Sequence, residues 1–423
     1  MSKNSKNNLA GQPILSQLLT FIPEEIIRES VKKHKADHYI KSFRTKDQLI
    51  CMVYAVLTKC CSIREVCKNI LFMGSKLIYS GLTHPPKRST FSDANGRRSD
   101  KVFGEIYFRL YGHYQSYLSK SFVAGFINGE IDPSRVEIFD SSTITLFKEI
   151  FKGAGRNCLN GKKKGGIKVH TQATLTDMTP HFICFSHGAS NDKNFLKMMK
   201  LPENSIGVFD KGFHNFSKYQ EWNENNRFYV TRANDNIHFK TVKELPLEEK
   251  SEIGVVSDRI IELIYCCKKE KIKKTVKARL VAYIDPVKGE RLAFLTNQFD
   301  SKATTICRLY INRWAIEVVF KQLKQNFELK YFLSDSQNGI KTQIWVALIL
   351  NLIFEVIHKM IKEAEDFATM VKIAAKNLCS YVCYINFLKN PFSEWIKIKK
   401  EVLEKMQFNL FDYKTGAVFQ NST

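Results

Sequence analysis

Two short apolar runs that each end on an aspartate constrain this chain more than any other feature. Val136-Glu-Ile-Phe-Asp140 leads at once into Ser141-Ser142-Thr143, and Ser205-Ile-Gly-Val-Phe-Asp210 leads into Lys211-Gly212-Phe213. Runs rich in β-branched and aromatic residues, bounded by hydroxyl, glycine and charged residues, predict buried strands. Between them lie two further strand signals, 167–175 and 181–187, and one helical segment, 192–199. The order is therefore three strands, a helix and a strand, with an acid closing the first strand and the last. Strand ends in a mixed α/β sheet gather at one edge, where sites are usually built, so Asp140 and Asp210 are expected there together.

A third acid lies far downstream. In Tyr310-Ile-Asn-Arg313-Trp-Ala-Ile-Glu317-Val-Val-Phe-Lys321-Gln-Leu-Lys324, the residues Arg313, Glu317, Lys321 and Lys324 step by four, four and three, which places them on one flank of a helix beginning at Ser301. Trp314, Val318, Val319 and Phe320 are expected to pack into the core. One reading of that flank is a solvated face whose Glu-to-Lys pairs each contribute about 0.2–0.5 kcal/mol. The other brings Glu317 to the two aspartates. Three converging carboxylates repel one another unless cations are present, and hard oxygen ligands with open positions suit Mg²⁺ or Mn²⁺. Two such ions activate a water or a 3′-hydroxyl and stabilise the leaving oxygen of an in-line displacement at phosphorus. Arg313, one turn before Glu317, is placed to hold a phosphate oxygen, Lys324 to neutralise the next phosphate, and Tyr310 to donate its hydroxyl or stack.

Charge supports the second reading. Of 423 residues, 65 are Lys or Arg against 42 Asp or Glu, a net charge of +23, which favours polyanionic partners through release of condensed counterions. A membrane surface is the competing partner. The start of the chain is polar, and the most apolar stretch, 344–357, is shorter than a bilayer span and carries Asn351 and Glu355. It reads as a buried core helix, and the chain as cytoplasmic, nucleic-acid-facing and without a membrane partner. The eleven cysteines show no paired zinc spacing; Cys379 and Cys383 are expected to pack within one helix at 368–388.

Along the chain, residues 1–13 are polar and expected to be disordered, and 14–125 carry helical patterning. Ser62-Ile-Arg-Glu65 fits a capping box. The basic, hydroxyl-rich stretch 87–98 suits a DNA-binding module of the helix-turn-helix kind. A Gly- and Lys-rich loop, 152–166, holds Lys162, Lys163 and Lys164, and Lys168 and His170 project together from the strand after it. Further β-rich segments follow up to 297, with Lys273 and Lys274 at a hairpin tip spanning 268–274. Both lysine clusters are expected on the DNA backbone, with Lys168, His170, Lys211, Arg232 and Lys321 as additional candidates near the site.

These residues resemble the insertion-sequence-4 family of DDE transposases. Its signature is Tyr, two residues, Arg, three residues, Glu, six residues, Lys, and Tyr310, Arg313, Glu317 and Lys324 fit every interval. Asp140 in Phe-Asp-Ser-Ser and Asp210 in Phe-Asp-Lys-Gly-Phe match the contexts of its first and second aspartates; Thr231-Arg232 and Leu295-Thr296-Asn297 are also similar. The resemblance implies an α/β fold: a ribonuclease-H-like catalytic core with an inserted β domain, preceded by an N-terminal helical domain and followed by C-terminal helices. On that plan the helical DNA-binding domain is 14–125, the core 126–232 and 291–335, the β-rich insertion 233–290 and the C-terminal helical region 336–423. It further implies Asp140, Asp210 and Glu317 as catalytic metal ligands for two Mg²⁺ or Mn²⁺ ions. The activity implied is cut-and-paste transposition: cleavage at inverted-repeat ends, then transfer of 3′-hydroxyl ends into target DNA, by a homodimer on double-stranded DNA. The position where some members place an aromatic against a flipped base holds Leu292. The alternatives are a repressor-like relative that binds without catalysis and a simple nuclease.

Overall fold

The computed structural model describes residues 11–82, 84–118, 130–145, 166–188, 190–247, 254–267, 272–285, 289–327, 329 and 331–414. The chain divides into two compact units, one of Met1–His113, Asn326–Glu328 and Phe332–Thr423, the other of Tyr114–Gln325 and Leu329–Tyr331. The first begins with α1 (Ile14–Leu19), α2 (Glu24–His34), α3 (Thr45–Leu57), α4 (Ile63–Met73) and α5 (Arg88–Arg97); α6 (Lys101–Leu118) follows. Only half of the capping box expected at Ser62 forms: its hydroxyl accepts the Glu65 N–H at 3.2 Å, but the Glu65 carboxylate takes the N–H of Cys61 at 2.8 Å, one residue before the N-cap.

The second unit is built on one sheet. Its elements are β1 (Val136–Thr145), β2 (Gly166–Thr174), β3 (Pro180–His187), α7 (Asp192–Leu196), β4 (Ile206–Phe209), α8 (Phe216–Glu224), β5 (Phe228–Arg232), β6 (Phe239–Glu244), β7 (Val255–Cys267), β8 (Ile272–Ile284), β9 (Arg291–Thr296), α9 (Ala303–Asn312) and α10 (Trp314–Asn326). Among the described residues the strand order is β3-β2-β1-β4-β5-β9-β8-β7-β6. β1, β4 and β5 run parallel; every other neighbouring pair is antiparallel. The described strands of the segment 233–290, β6, β7 and β8, therefore extend the same sheet through β9.

Alternation along β1 sorts the two faces. Phe139 joins Phe195 of α7, Phe209, Tyr219 and Trp222 of α8, and Tyr229 in one aromatic core, with the Tyr219 and Tyr229 rings stacked at 4.1 Å. Asp140 points the other way, to the face covered by α9 and α10. Gly207 permits the close approach of β4 to this core, because a Cβ there would meet the Phe139 ring at 2.6 Å. Gly207→Ala is therefore expected to cost about 1–3 kcal/mol by overpacking, read as a lowered melting temperature; an unchanged one would mean the ring yields freely.

Several expectations are corrected. Asp140 is not the last residue of its strand: β1 continues to Thr145 because β2 keeps pairing as far as Thr145↔Gly166, although the parallel partner β4 stops at Phe209. The helix from Ser301 is two helices, α9 and α10, parted at Arg313, where tightened bonds run from Arg313 N to Tyr310 O (3.1 Å) and from Ile316 N to Arg313 O (3.2 Å). Trp314 and Val318 are not core residues; they are 53% and 54% exposed, while Phe320 is buried. Lys273 and Lys274 belong to β8, and residues 268–271 of the expected hairpin tip lie outside the described residues, as do 1–10 of the expected disordered start.

The first unit resumes with α11 (Gln337–Met360), α12 (Phe367–Lys376), α13 (Tyr384–Lys389) and α14 (Pro391–Lys414). At 24 residues α11 is long and apolar enough to cross a membrane, but 89% of its most apolar stretch is buried inside the protein. The single helix expected at 368–388 is broken, so Cys379 and Cys383 do not share one. The cause is a competing set of bonds: carbonyls of Leu378 and Ser380 cap the free N–H groups of Leu15 and Ile14 at 3.0 Å each, and Gln17 reaches Val382 O at 2.7 Å and Tyr384 N at 2.9 Å.

Candidate active site

Five side chains from four elements meet at the edge where β4 ends. Asp140 is presented by β1 one residue past the last β1–β4 pair, and Asp210 follows the last residue of β4. Tyr310, from the last turn of α9, donates its hydroxyl to Asp210 Oδ1 at 2.9 Å, and its ring packs 4.7 Å from that of buried Phe294 on β9. Arg313, at the break between α9 and α10, reaches Asp140 Oδ1 with Nη1 at 3.5 Å and Glu317 Oε1 with Nη2 at 2.8 Å. Its guanidinium also lies 5.4 Å from the centre of the Tyr310 ring. The helix break has a local consequence: Arg313 is only 5% exposed and is drawn to the acids instead of lying on a solvated flank.

Electrostatics tie the acids together. The Asp140 pKa is raised to about 7, chiefly by burial; Arg313 and the Ser141 N–H oppose the rise, and the charges of Glu317 and Asp210 add to it. Burial alone would lower the Arg313 pKa, but Tyr310, Asp140 and Glu317 together raise it. Crowding around the Lys324 ammonium lowers its pKa, opposed by Asp140, which puts Lys324 within electrostatic reach of the first acid. Among the described residues no three His, Cys, Asp or Glu side chains are near enough to form a ready metal cluster; the arginine stands between two of the acids. The donor set is nonetheless all hard oxygen, and the charges of Glu317 and Asp210 both disfavour the ionised form of Asp140. Such a donor set suits hard divalent cations.

Other expected site residues fall elsewhere. Lys168 and His170 are 8% and 2% exposed and point to the opposite face from Asp140. Lys168 Nζ donates to Ser190 O at 2.9 Å and Asp192 Oδ1 at 3.1 Å; His170 Nε2 is 2.6 Å from Ser186 Oγ. Burial lowers the His170 pKa to about 4, against the pull of Asp192, so the ring is neutral at neutral pH. These two residues face protein partners, not the outside, which corrects the expectation that they contact DNA. Lys211 sits in the turn after Asp210, Arg232 at the end of β5 bridges to Glu290 at 3.2 Å, and Lys321 is exposed on α10. Lys273 is exposed, and Lys274 lines a cavity of about 1130 Å³ with Lys193, Lys197 and Lys218. Lys162, Lys163 and Lys164 lie outside the described residues. In the helical unit, Lys35, Lys41 and Arg97 line a second cavity of about 860 Å³. At its rim Tyr39 is 89% exposed with a left-handed φ of 61°, a conformation rare for a bulky side chain.

The sequence reading missed Asp192. As the first residue of α7 it resembles an acid placed for the helix dipole, and nothing in its spacing marks the contacts it makes across the sheet.

Comparison with known proteins gives two family matches: residues 10–83 to a domain of unknown function (DUF4372), and residues 132–352 to the transposase DDE domain. Among similar proteins, "Putative transposase y4zB" of Sinorhizobium fredii is 24% identical over 62% of this chain and 69% of its own length. "Putative transposase for insertion sequence element IS4SA" of Synechocystis is 23% identical over 71% of this chain and 80% of its own length. A solved piggyBac transposase synaptic complex with hairpin DNA aligns with a TM-score of 0.43 at 11% identity, covering 90% of this chain and 81% of that one.

Proposed function

Since the chain belongs to the transposase DDE family, we propose that this transposase works by cut-and-paste: it cleaves double-stranded DNA at the inverted-repeat ends of an insertion sequence and joins the freed 3′-hydroxyls to target DNA. The carrying observation is the cluster in which Arg313 joins Asp140 to Glu317 while Tyr310 engages Asp210. The order β3-β2-β1-β4-β5, with β1, β4 and β5 parallel, supports a ribonuclease-H-like core in which β6, β7 and β8 are the insertion.

Asp140, Asp210 and Glu317 are the residues that would hold divalent ions, two Mg²⁺ or Mn²⁺ in this reading. When bound, such ions polarise the scissile phosphate and lower the pKa of the attacking water or hydroxyl. The protein's own groups do the rest. Arg313 holds two acids in register, and Lys324 supplies positive charge from α10. Tyr310 orients Asp210 through its hydroxyl. Lys321, Lys211, Arg232, Lys273 and Lys274 are assigned to the DNA backbone, the basic cavity of the helical unit to duplex binding, and the working species to a homodimer on paired ends.

Incubating the protein and Mg²⁺ with a duplex carrying the inverted repeat that flanks its reading frame should give a nick at the element's end, then joining to target DNA, both abolished by chelator. Binding without cutting in Mg²⁺ or Mn²⁺ would leave a repressor; cutting without joining would leave a nuclease. Tyr310→Phe should lower cleavage about tenfold or more, the scale of one hydrogen bond to a charged group, with little change in melting temperature because the ring keeps its contact with Phe294. Wild-type single-turnover cleavage by that variant would remove Tyr310 from the mechanism.

A further inference from the structure

Asp192 is outside the acid triad, yet it touches the supports of both aspartates. Its Oδ1 accepts the Ser141 hydroxyl at 2.9 Å and the Lys168 ammonium at 3.1 Å, and His170 Nδ1 is 3.6 Å away. Lys168 also donates to Ser190 O at 2.9 Å, pinning the segment that enters α7. The second oxygen, Oδ2, faces the turn after Asp210: a Cβ on Gly212 would come within 3.4 Å of it. Behind the carboxylate, Phe195 of α7 stacks on His170 at 4.2 Å and lies 6.3 Å from Phe213.

The two faces of β1 explain what this arrangement does. Consecutive strand residues project oppositely, so Arg313 meets Asp140 on one face while Asp192 grips Ser141 from the other. A single carboxylate thereby braces the backbone that carries Asp140 and abuts the turn that follows Asp210. Its side chain is 20% exposed and that of Lys168 10%, a setting in which charge-assisted bonds hold geometry firmly.

We propose that Asp192 is a positioning residue that fixes the spacing of Asp140 and Asp210 from behind the sheet and so sets the affinity of the site for divalent ions. The proposal rests on the metal-dependent reading above. The test uses the full chain bound to an end duplex, with Mn²⁺ binding followed by electron paramagnetic resonance against a duplex-only blank. The double variant Asp192→Asn/Lys168→Met removes both charges together, so neither is stranded. It should weaken Mn²⁺ binding about ten- to a hundredfold, the usual range for groups that orient metal ligands, and raise the Mg²⁺ needed for half-maximal cleavage by a similar factor. Duplex affinity in chelator should stay near wild type. Ser141→Ala, which removes only a hydroxyl, should shift both readings in the same direction by less. A folded double variant with wild-type Mn²⁺ affinity and Mg²⁺ demand overturns the proposal. If the double variant fails to fold, unchanged readings for Ser141→Ala overturn it instead. Wild-type protein that neither binds Mn²⁺ nor cuts refutes the underlying metal-dependent reading, a result distinct from either.

Discussion

Replacing Asp140, Asp210 or Glu317 singly by alanine is expected to lower end cleavage by at least about a thousandfold while leaving end-duplex binding near wild type. The magnitude is that of removing one charged group from a preorganised transition-state clamp. The fold should survive each change, for different reasons. Glu317 has a side chain 46% exposed, so its loss removes little packing. Asp140 is a buried carboxyl pushed up to about 7 chiefly by burial, so alanine relieves a desolvation penalty. The Arg313 it leaves behind keeps Glu317 at 2.8 Å and is not stranded. Asp210→Ala frees the Tyr310 hydroxyl, whose ring remains held by Phe294. Single-turnover nicking in Mg²⁺, with gel-shift binding in chelator, reads both quantities. Wild-type cutting by any one of the three variants would disprove the assignment of that acid. Equal loss of binding would instead indicate that the acids shape the DNA surface.

What the sequence made legible follows from which physics is local. Strand composition located β1 and β4, and helical spacing brought Arg313 to Glu317 four residues on, because periodicity depends only on neighbouring residues. Long-range competition was not legible. β1 outruns its apolar stretch because β2 supplies hydrogen bonds beyond Asp140, and the helix expected at 368–388 breaks because α1 recruits its carbonyls. Trp314 was assigned to the core on hydrophobicity, but the break at Arg313 turns α10 so that Ile316 and Phe320 are buried and Trp314 and Val318 face out. Asp192 was invisible for the same reason: its partners Ser141 and Lys168 are 51 and 24 residues away, and only the strand register aligns them.

The largest stability effect is expected at a second buried pair that the sequence also concealed. Arg279 on β8 meets Asp258 on β7 through two parallel bonds, Nε to Oδ1 at 2.8 Å and Nη2 to Oδ2 at 2.6 Å, with side chains only 5% and 3% exposed. The remaining nitrogen, Nη1, donates to the carbonyls of Gln298, Phe299 and Ser301, which form the connection from β9 into α9. One guanidinium therefore ties the outer strands to the loop that launches the helix bearing Tyr310. Asp258→Ala leaves that cation buried without its counter-charge and should cost about 3–5 kcal/mol, a fall in melting temperature of order 10 °C for a unit of this size. Removing both charges with Asp258→Leu/Arg279→Met should cost less than Asp258→Ala alone, since the penalty lies mainly in the stranded charge. Thermal and urea unfolding of the three proteins decides the matter. A loss below about 1 kcal/mol for Asp258→Ala would assign the pair the weight of a surface ion pair, and a double variant no better than the single would shift the cost to the backbone carbonyls that lose Arg279.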